Sequence, residues 1–335
     1  MERQRSESAG VTHRIVMEVR MNTRPVLSAG QGPSRAAGRW RSFRANFAVH
    51  KYYYLLMLPG LALLALFRYV PMAGALIAFR DYKLSTGLFG GQWVGMKWLN
   101  MLFSNPQFTQ VLGNTIWISL LKLAFGFPAP IIIAIMLNEV KYGALKRTVQ
   151  TVIYLPHFIS WVVIGGLMMT ILSPSVGILG AFGIAKNPLL EARNFRLLVV
   201  LTDIWKEAGW GTVVYLAAIS GISPDLYEAA TVDGAGRFQK IRHITLPAIT
   251  GTVVVMLILR TGSMLMAGFD QLYVLQTPAV MDVGDVLDTF VYRYGLTQGR
   301  FSFAAAAGLF QSFIGLLLVS ISNTVSRKLD QNGVW

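Results

Sequence analysis

Six long apolar runs constrain this chain more than any other feature. They fall at roughly 53–78, 109–138, 149–173, 197–220, 248–270 and 302–325. Each reaches the ~20 residues that a helix needs to cross the hydrocarbon core of a bilayer. Several contain residues such as Pro59, Pro71, Pro128, Pro130, Gly165 and Gly166, which disrupt soluble helices and are tolerated in membrane ones. With 54% hydrophobic and only 14% charged residues, the chain lies outside the usual range of a soluble globular domain. The expected fold class is all-α integral membrane, with six transmembrane helices in one domain over 51–335.

The net charge of +14 invites a nucleic-acid reading until the charges are located. Ten of the 30 Lys and Arg residues lie in 1–52, in a basic stretch with no apolar run able to build a core. Residues 1–50 therefore read as a cytoplasmic tail, disordered up to about Arg44, with membrane lipid as the partner of its charge. No aromatic interleaving or motif supports nucleic acid. Placing the N-terminus inside puts 18 basic residues on the cytoplasmic side and eight in the outer segments 79–108, 174–196 and 271–301. This bias predicts that both termini are cytoplasmic.

Catalytic signatures are missing. The chain has no cysteine and four scattered histidines, so neither a thiol centre nor a metal cluster is expected. Zinc-protease and nucleophile-elbow motifs do not occur, and no phosphate-binding Gly-rich loop is present. The chain is not expected to be an enzyme or to hydrolyse ATP itself.

The segment between the fourth and fifth runs, 221–247, carries the most local information. Ser223 can cap a helix that has Pro224 at its first position and Asp225 at the positive end of its dipole. Gly234 can end that helix in a left-handed conformation. A second short helix is predicted from Arg237 to His243, before Pro247 leads into the fifth run. Glu228 and Asp233 among the small residues Ala229, Ala230, Gly234, Ala235 and Gly236 form a surface that a partner can approach closely.

Glu228-Ala229-Ala230, Gly234 after three intervening residues, then Ile244 and Leu246-Pro247, resemble the EAA motif of binding-protein-dependent ABC importer permeases. The resemblance implies a type I ABC importer permease fold, with 221–247 as the cytoplasmic coupling loop. It also implies that Glu228, Ala229, Ala230, Asp233 and Gly234 seat in a cleft of the ATPase subunit. It extends over nearly the whole chain after residue 50 and points to the oligosaccharide and polysaccharide branch. The segments carrying it include Asn114-Thr115, Leu137-Asn138-Glu139, Tyr154 to Trp161, Trp205 to Trp210, Gly268 to Gln271 and Asp288 to Arg293. The implied partners are a second homologous permease subunit, two ATPase subunits and an extracytoplasmic sugar-binding protein. ATP and Mg belong to the ATPase, no cofactor belongs to this chain, and the implied location is the bacterial plasma (inner) membrane. The basic tail is longer than the family leads one to expect.

A path for a hydrated sugar needs aromatic faces for C–H surfaces and polar groups for hydroxyls, turned away from lipid. Trp205, Lys206, Arg260, Asp270 and Gln271 are the expected path residues. Other readings stand beside this one: Trp205 and Trp210 as interfacial anchors, Lys206 with Glu207 as a structural ion pair between helices, and Lys122 as a snorkelling side chain. Basic residues within the runs, Lys122, Lys206 and Arg260, raise acidic oligosaccharide as a cargo class beside neutral oligosaccharide. The alternative function is an ion-coupled secondary transporter of a polar solute, which would show inverted repeats and broken helices. No such repeat is visible in the apolar pattern.

Overall fold

The structure is a computed structural model and describes residues 35–184 and 186–328. It divides into two units, Met1–Tyr69 and Val70–Trp335. Residues 1–34 of the expected tail lie outside the described residues. Helix α1, Arg35–Leu64, begins within the stretch whose composition shows no apolar pattern, where Ala36, Ala37, Arg39 and Arg41 are favourable helix formers. From Tyr52 to Leu64 its large apolar side chains, among them Leu55, Leu56, Leu61 and Leu63, are exposed all round. That distribution suits a helix solvated by lipid.

The second unit is helical throughout. Among the described residues, β structure is limited to an isolated antiparallel bridge between Arg80 and Trp93. Helices α2, Lys97–Phe103, and α3, Pro106–Leu121, are joined at Asn105, whose side chain accepts the Gln107 N–H. A π-turn over Lys122–Gly126 passes α3 into α4, Pro128–Glu139. Then come α5, Gly143–Tyr154, α6, Trp161–Ile171, and α7, Ala192–Ser220. Next follow α8, Pro224–Val232, α9, Arg237–Lys240, and α10, Leu246–Gly262. The chain closes with α11, Phe269–Leu275, α12, Leu287–Tyr292, and the long α13, Phe301–Lys328.

Among the described residues, four helical stretches are long and apolar enough to cross a membrane: His50–Phe79, Pro106–Glu139, Arg237–Gly262 and Phe301–Lys328. A fifth is Gly143–Phe158 with Trp161–Ile171 if that pair, bent by 101°, counts as one. The expectation of six spans thus meets four or five by length and composition. The exception is the 197–220 run. It lies in α7, whose 29 residues are long enough to span, about 44 Å at 1.5 Å per residue. Asp203, Lys206 and Glu207 interrupt its apolar character.

Two further boundaries differ from the apolar pattern, each for a local reason. The 149–173 run is broken at Leu155–Phe158, a 3₁₀ turn around Pro156, and α6 restarts with the Ser160 side chain accepting the Val163 N–H. Proline removes a helix donor, and Ser160 supplies a new cap. The 248–270 run ends as a helix at Gly262, and Asp270 and Gln271 fall on the separate helix α11. Gly268, at φ +101°, makes the turn into α11.

Burial is concentrated where helices face one another. Ile118, Phe195, Val199, Ala267, Leu272 and Leu275 form a core shared by α3, α7 and α11. Leu102, Phe108, Leu265, Leu287, Phe290 and Phe303 join α2, α3, α12 and α13, while Ala134, Tyr215, Ile219 and Ile249 join α4, α7 and α10. Leu120, Ile132, Met136, Val162 and Leu316 remain exposed. Apolar side chains on the outside are stable only in an apolar solvent.

Candidate functional site

Two regions hold most of the sequence-predicted residues. The first is the loop between α7 and α10. Ser223 Oγ accepts the Asp225 N–H at 3.3 Å, Pro224 occupies the first turn, and α8 ends at Asp233. Gly234 has φ +78°, a conformation that costs an L-residue about 1–2 kcal/mol. The Ala235 N–H donates to Ala230 O at 2.8 Å, closing the turn. Lys240 Nζ donates to Thr231 Oγ1 at 2.7 Å, and the Tyr227 and Thr245 hydroxyls lie 2.9 Å apart, so the loop is internally braced. Its outer surface is not: Glu228, Ala229, Asp233 and Gly234 are exposed and Ala230 is half-buried. Leu226, Val232 and Phe238 are exposed around them. Val232, at 89% exposure, is an apolar side chain placed where only a partner would cover it.

The second region is a cavity of about 620 Å³ walled by α6, α7, α11 and the turn before α6, a size typical of small-molecule sites. Pro156 makes the bend that turns His157, Phe158 and Trp161 toward α7. Lys206, Glu207, Asp270 and Tyr273 complete the polar and aromatic lining. The Lys206 ammonium donates to the His157 carbonyl at 2.6 Å, lies 3.4 Å from Glu207 Oε1 and sits 5.6 Å from the centre of the Trp161 ring. His157 Nδ1 lies 2.9 Å from Glu207 Oε2. A carboxylate can only accept, so that nitrogen carries the proton. The His157 ring is stacked on Trp210, with centroids 4.8 Å apart and planes 3° apart. This fixes the imidazole from one face while Glu207 fixes it from the edge.

Tyr273 presents its half-exposed ring to the same cavity and packs against Phe269 and Tyr292, with centroids 5.2 and 5.0 Å away. The hydrogen bond with Tyr292, together with that neighbour's charge when it ionises, pushes the Tyr273 phenol above its ordinary range. The cavity thus combines aromatic faces with a clamped ammonium and two carboxylates. Among the described residues no group of three metal-ligating side chains converges.

Of the expected path residues, Lys206 and Asp270 line this cavity and the others do not. Trp205 is half exposed elsewhere on α7. Arg260, at the end of α10, points its guanidinium at Asp203 Oδ2 from 3.7 Å. Gln271 is 1% exposed and belongs to an interior network. There Lys122 Nζ donates to Asp203 Oδ1 at 2.8 Å, to Gln271 Oε1 at 2.6 Å and to the Ala267 carbonyl at 2.9 Å. Lys122 is thus a buried paired charge and does not snorkel, as its apolar neighbours in sequence suggest. The Lys206–Glu207 ion pair is present at 3.4 Å and faces the cavity, but both residues lie side by side on α7, so it does not join two helices. His157, Trp161, Glu207 and Tyr273 escape a sequence-level site assignment. The available signal was Pro156 interrupting an apolar run within an aromatic stretch, since irregular backbone at membrane depth is tolerated where it lines a cavity.

The sequence model of the family described as "Binding-protein-dependent transport system inner membrane component" matches residues 126–331. Protein LplB of Bacillus subtilis (strain 168) is 42% identical over 316 residues, covering 93% of this chain and 97% of that protein. The polygalacturonan/rhamnogalacturonan transport system permease protein YteP of the same organism is 45% identical over 290 residues, covering 85% of this chain and 90% of YteP. Among solved structures, a bacterial ABC transporter involved in the import of the acidic polysaccharide alginate superposes with a TM-score of 0.79 at 39% identity. That match covers 86% of this chain and 99% of its counterpart.

Proposed function

The chain belongs to the binding-protein-dependent transport system inner membrane components, and on that premise we propose that it is one of two permease subunits of an ATP-driven importer whose cargo is an acidic oligosaccharide. The observation that carries this reading is the cavity between α6, α7 and α11, where Trp161 and Tyr273 supply ring faces and Lys206, Glu207 and Asp270 supply charged hydrogen-bonding groups. A pyranose offers the complementary pair, a C–H face and a rim of hydroxyls. The acidic class is supported by the polygalacturonan and alginate transport of the relatives. In this chain Lys206 is the cation in reach of a cargo carboxylate, and Glu207 and Asp270 favour hydroxyl donors. Further cations for a polyanionic cargo then fall to the second permease subunit.

In this reading α7 crosses the membrane as the sixth span, its charges turned to the interior network and the cavity, and both termini are cytoplasmic. The ATPase subunits seat the α8 surface around Glu228, Ala229, Ala230, Asp233 and Gly234. A solved alginate transporter is in complex with an alginate pentasaccharide-bound periplasmic protein. A sugar-loaded binding protein accordingly meets the outer segments 79–108 and 271–301 here. ATP draws the two ATPases together, the α8 surfaces follow, and the inner mouth closes as the outer one opens.

The test is uptake of a labelled oligogalacturonate into proteoliposomes containing the whole complex, with acidic and neutral oligosaccharides as competitors. Uptake that needs ATP and is inhibited by acidic oligosaccharides alone supports the reading. Equal inhibition by neutral oligosaccharides removes the acidic cargo. Uptake that follows an ion gradient without ATP removes the importer.

A further inference from the structure

Between α10 and α11 the chain runs through residues 263–268 without regular helix, directly before the two cavity residues Asp270 and Tyr273. Some of its backbone groups bond locally, and others are bonded by side chains of other elements. Gln311 of α13 donates through Nε2 to the Leu265 carbonyl at 2.7 Å and to Asp288 Oδ1 at 2.8 Å. Asp288 also accepts the backbone N–H groups of Ala267 and Gly268. From the opposite side, Lys122 donates to the Ala267 carbonyl and Gln271 Oε1. Gln271 in turn donates through Nε2 to the Val199 carbonyl at 2.7 Å and Thr202 Oγ1 at 2.9 Å, both on α7.

The ammonium has three protons and three acceptors here, namely Asp203, Ala267 O and Gln271 Oε1, and its side chain is 6% exposed. It lies on none of the cavity walls. An added Cβ at Gly268 would stand 3.2 Å from Lys122 Nζ, so the turn and the lysine are fitted to each other. A planar guanidinium could not converge on three acceptors around one point as an ammonium does. The π-turn Lys122–Gly126 shifts the register of the helix at this position, and such insertions recur at functional positions in helices.

We infer that Lys122, acting with Asp203 through Gln271, is a positioning residue for cargo: it latches the 263–271 segment to α7 and thereby sets Asp270 and Tyr273 at the cavity wall. The inference rests on the cavity being the cargo site. The latch touches no cargo. It acts by fixing the segment from which the cargo-facing side chains project.

The absence of cysteine from the chain makes the latch directly measurable. In the whole complex, Ala267→Cys places a thiol at a position 1% exposed, and its labelling by a membrane-impermeant maleimide reports opening of the segment. Gln271→Met keeps the Lys122–Asp203 pair and the Lys122 bond to the Ala267 carbonyl but removes every bond made through the Gln271 amide, whereas Gln271→Glu keeps an acceptor for the ammonium. The expected result is labelling at least tenfold faster with Gln271→Met and binding of fluorescent trigalacturonate to the purified complex about tenfold weaker. Gln271→Glu restores both to within about twofold of the parent. Labelling and binding unchanged by Gln271→Met overturn the latch, and so does an equal loss in both variants, which would assign the effect to the Nε2 bonds alone. A parent complex that does not bind trigalacturonate refutes the acidic cargo instead, and the labelling comparison still decides the latch.

Discussion

At the scale of single residues, the two functional regions depend on different physics. Gly234 is needed for its backbone, since at φ +78° a β-branched side chain is a steric outlier. Gly234→Val should therefore abolish uptake in proteoliposomes while the ATPase subunits still hydrolyse ATP. Wild-type uptake at normal expression would show that the turn has no part in coupling. Trp161 is needed for its face. Its ring lies at the cavity wall and receives the Lys206 ammonium at 5.6 Å, an arrangement worth about 0.5–2 kcal/mol where it is partly desolvated. Trp161→Ala should raise the oligogalacturonate concentration for half-maximal uptake by roughly tenfold, corresponding to about 1.4 kcal/mol. An unchanged half-saturation value would move the cargo away from this wall.

At the scale of elements, the irregular connection from α10 to α11 shows how the helices are held. Burial pushes the Asp288 carboxyl above its ordinary range, against the opposing pull of Gln311 and the Gly268 and Ala267 N–H groups. A folded-state value above the unfolded one means that the folded chain binds the proton more tightly. Stability is then fully present below the ordinary value near 3.8 and declines as pH rises through the raised one. Asp288→Asn should flatten this part of the pH–stability profile of the detergent-solubilised complex. A melting curve with the same pH slope in both proteins would show that Asp288 does not titrate in that window. The same connection explains why α10 is shorter than its apolar run: Gly262 to Gly268 carry enough apolar residues to continue a helix in a hydropathy profile. Lys122, Asp288 and Gln311 nevertheless satisfy a non-helical backbone there.

At the scale of the whole molecule, exposed apolar surface appears in two kinds. The broad outer faces of α1, α4, α6 and α13 suit lipid, whereas Leu226, Val232 and Phe238 lie around the charged and small residues of the α8 loop. A surface of the second kind is stable in water when a protein covers it. Affinity purification of the chain from its native membrane in mild detergent should recover an ATPase and a second permease, and sugar-loaded binding protein should stimulate the ATP hydrolysis of that assembly. Recovery of the chain without any ATPase would leave the α8 surface without its proposed occupant.

The sequence by itself determined the membrane class, the all-α architecture, the capped helix after Ser223 and the left-handed Gly234. These depend on run length, capping chemistry and backbone preference, each encoded within a few neighbouring residues. It also singled out Lys206 and Asp270, which line one cavity in the structure. Only the tertiary structure decided that Gln271 turns inward to Lys122, that Arg260 faces Asp203, and that His157, Trp161, Glu207 and Tyr273 share one cavity. Lys122 meets Asp203 across 81 residues of chain and Gln271 across 149. A hydropathy profile records the transfer cost of a charge, whereas its partner is set by where helices cross. The same reason sets the 197–220 run apart from the other apolar runs, because the charges that interrupt α7 meet groups from helices far away in sequence.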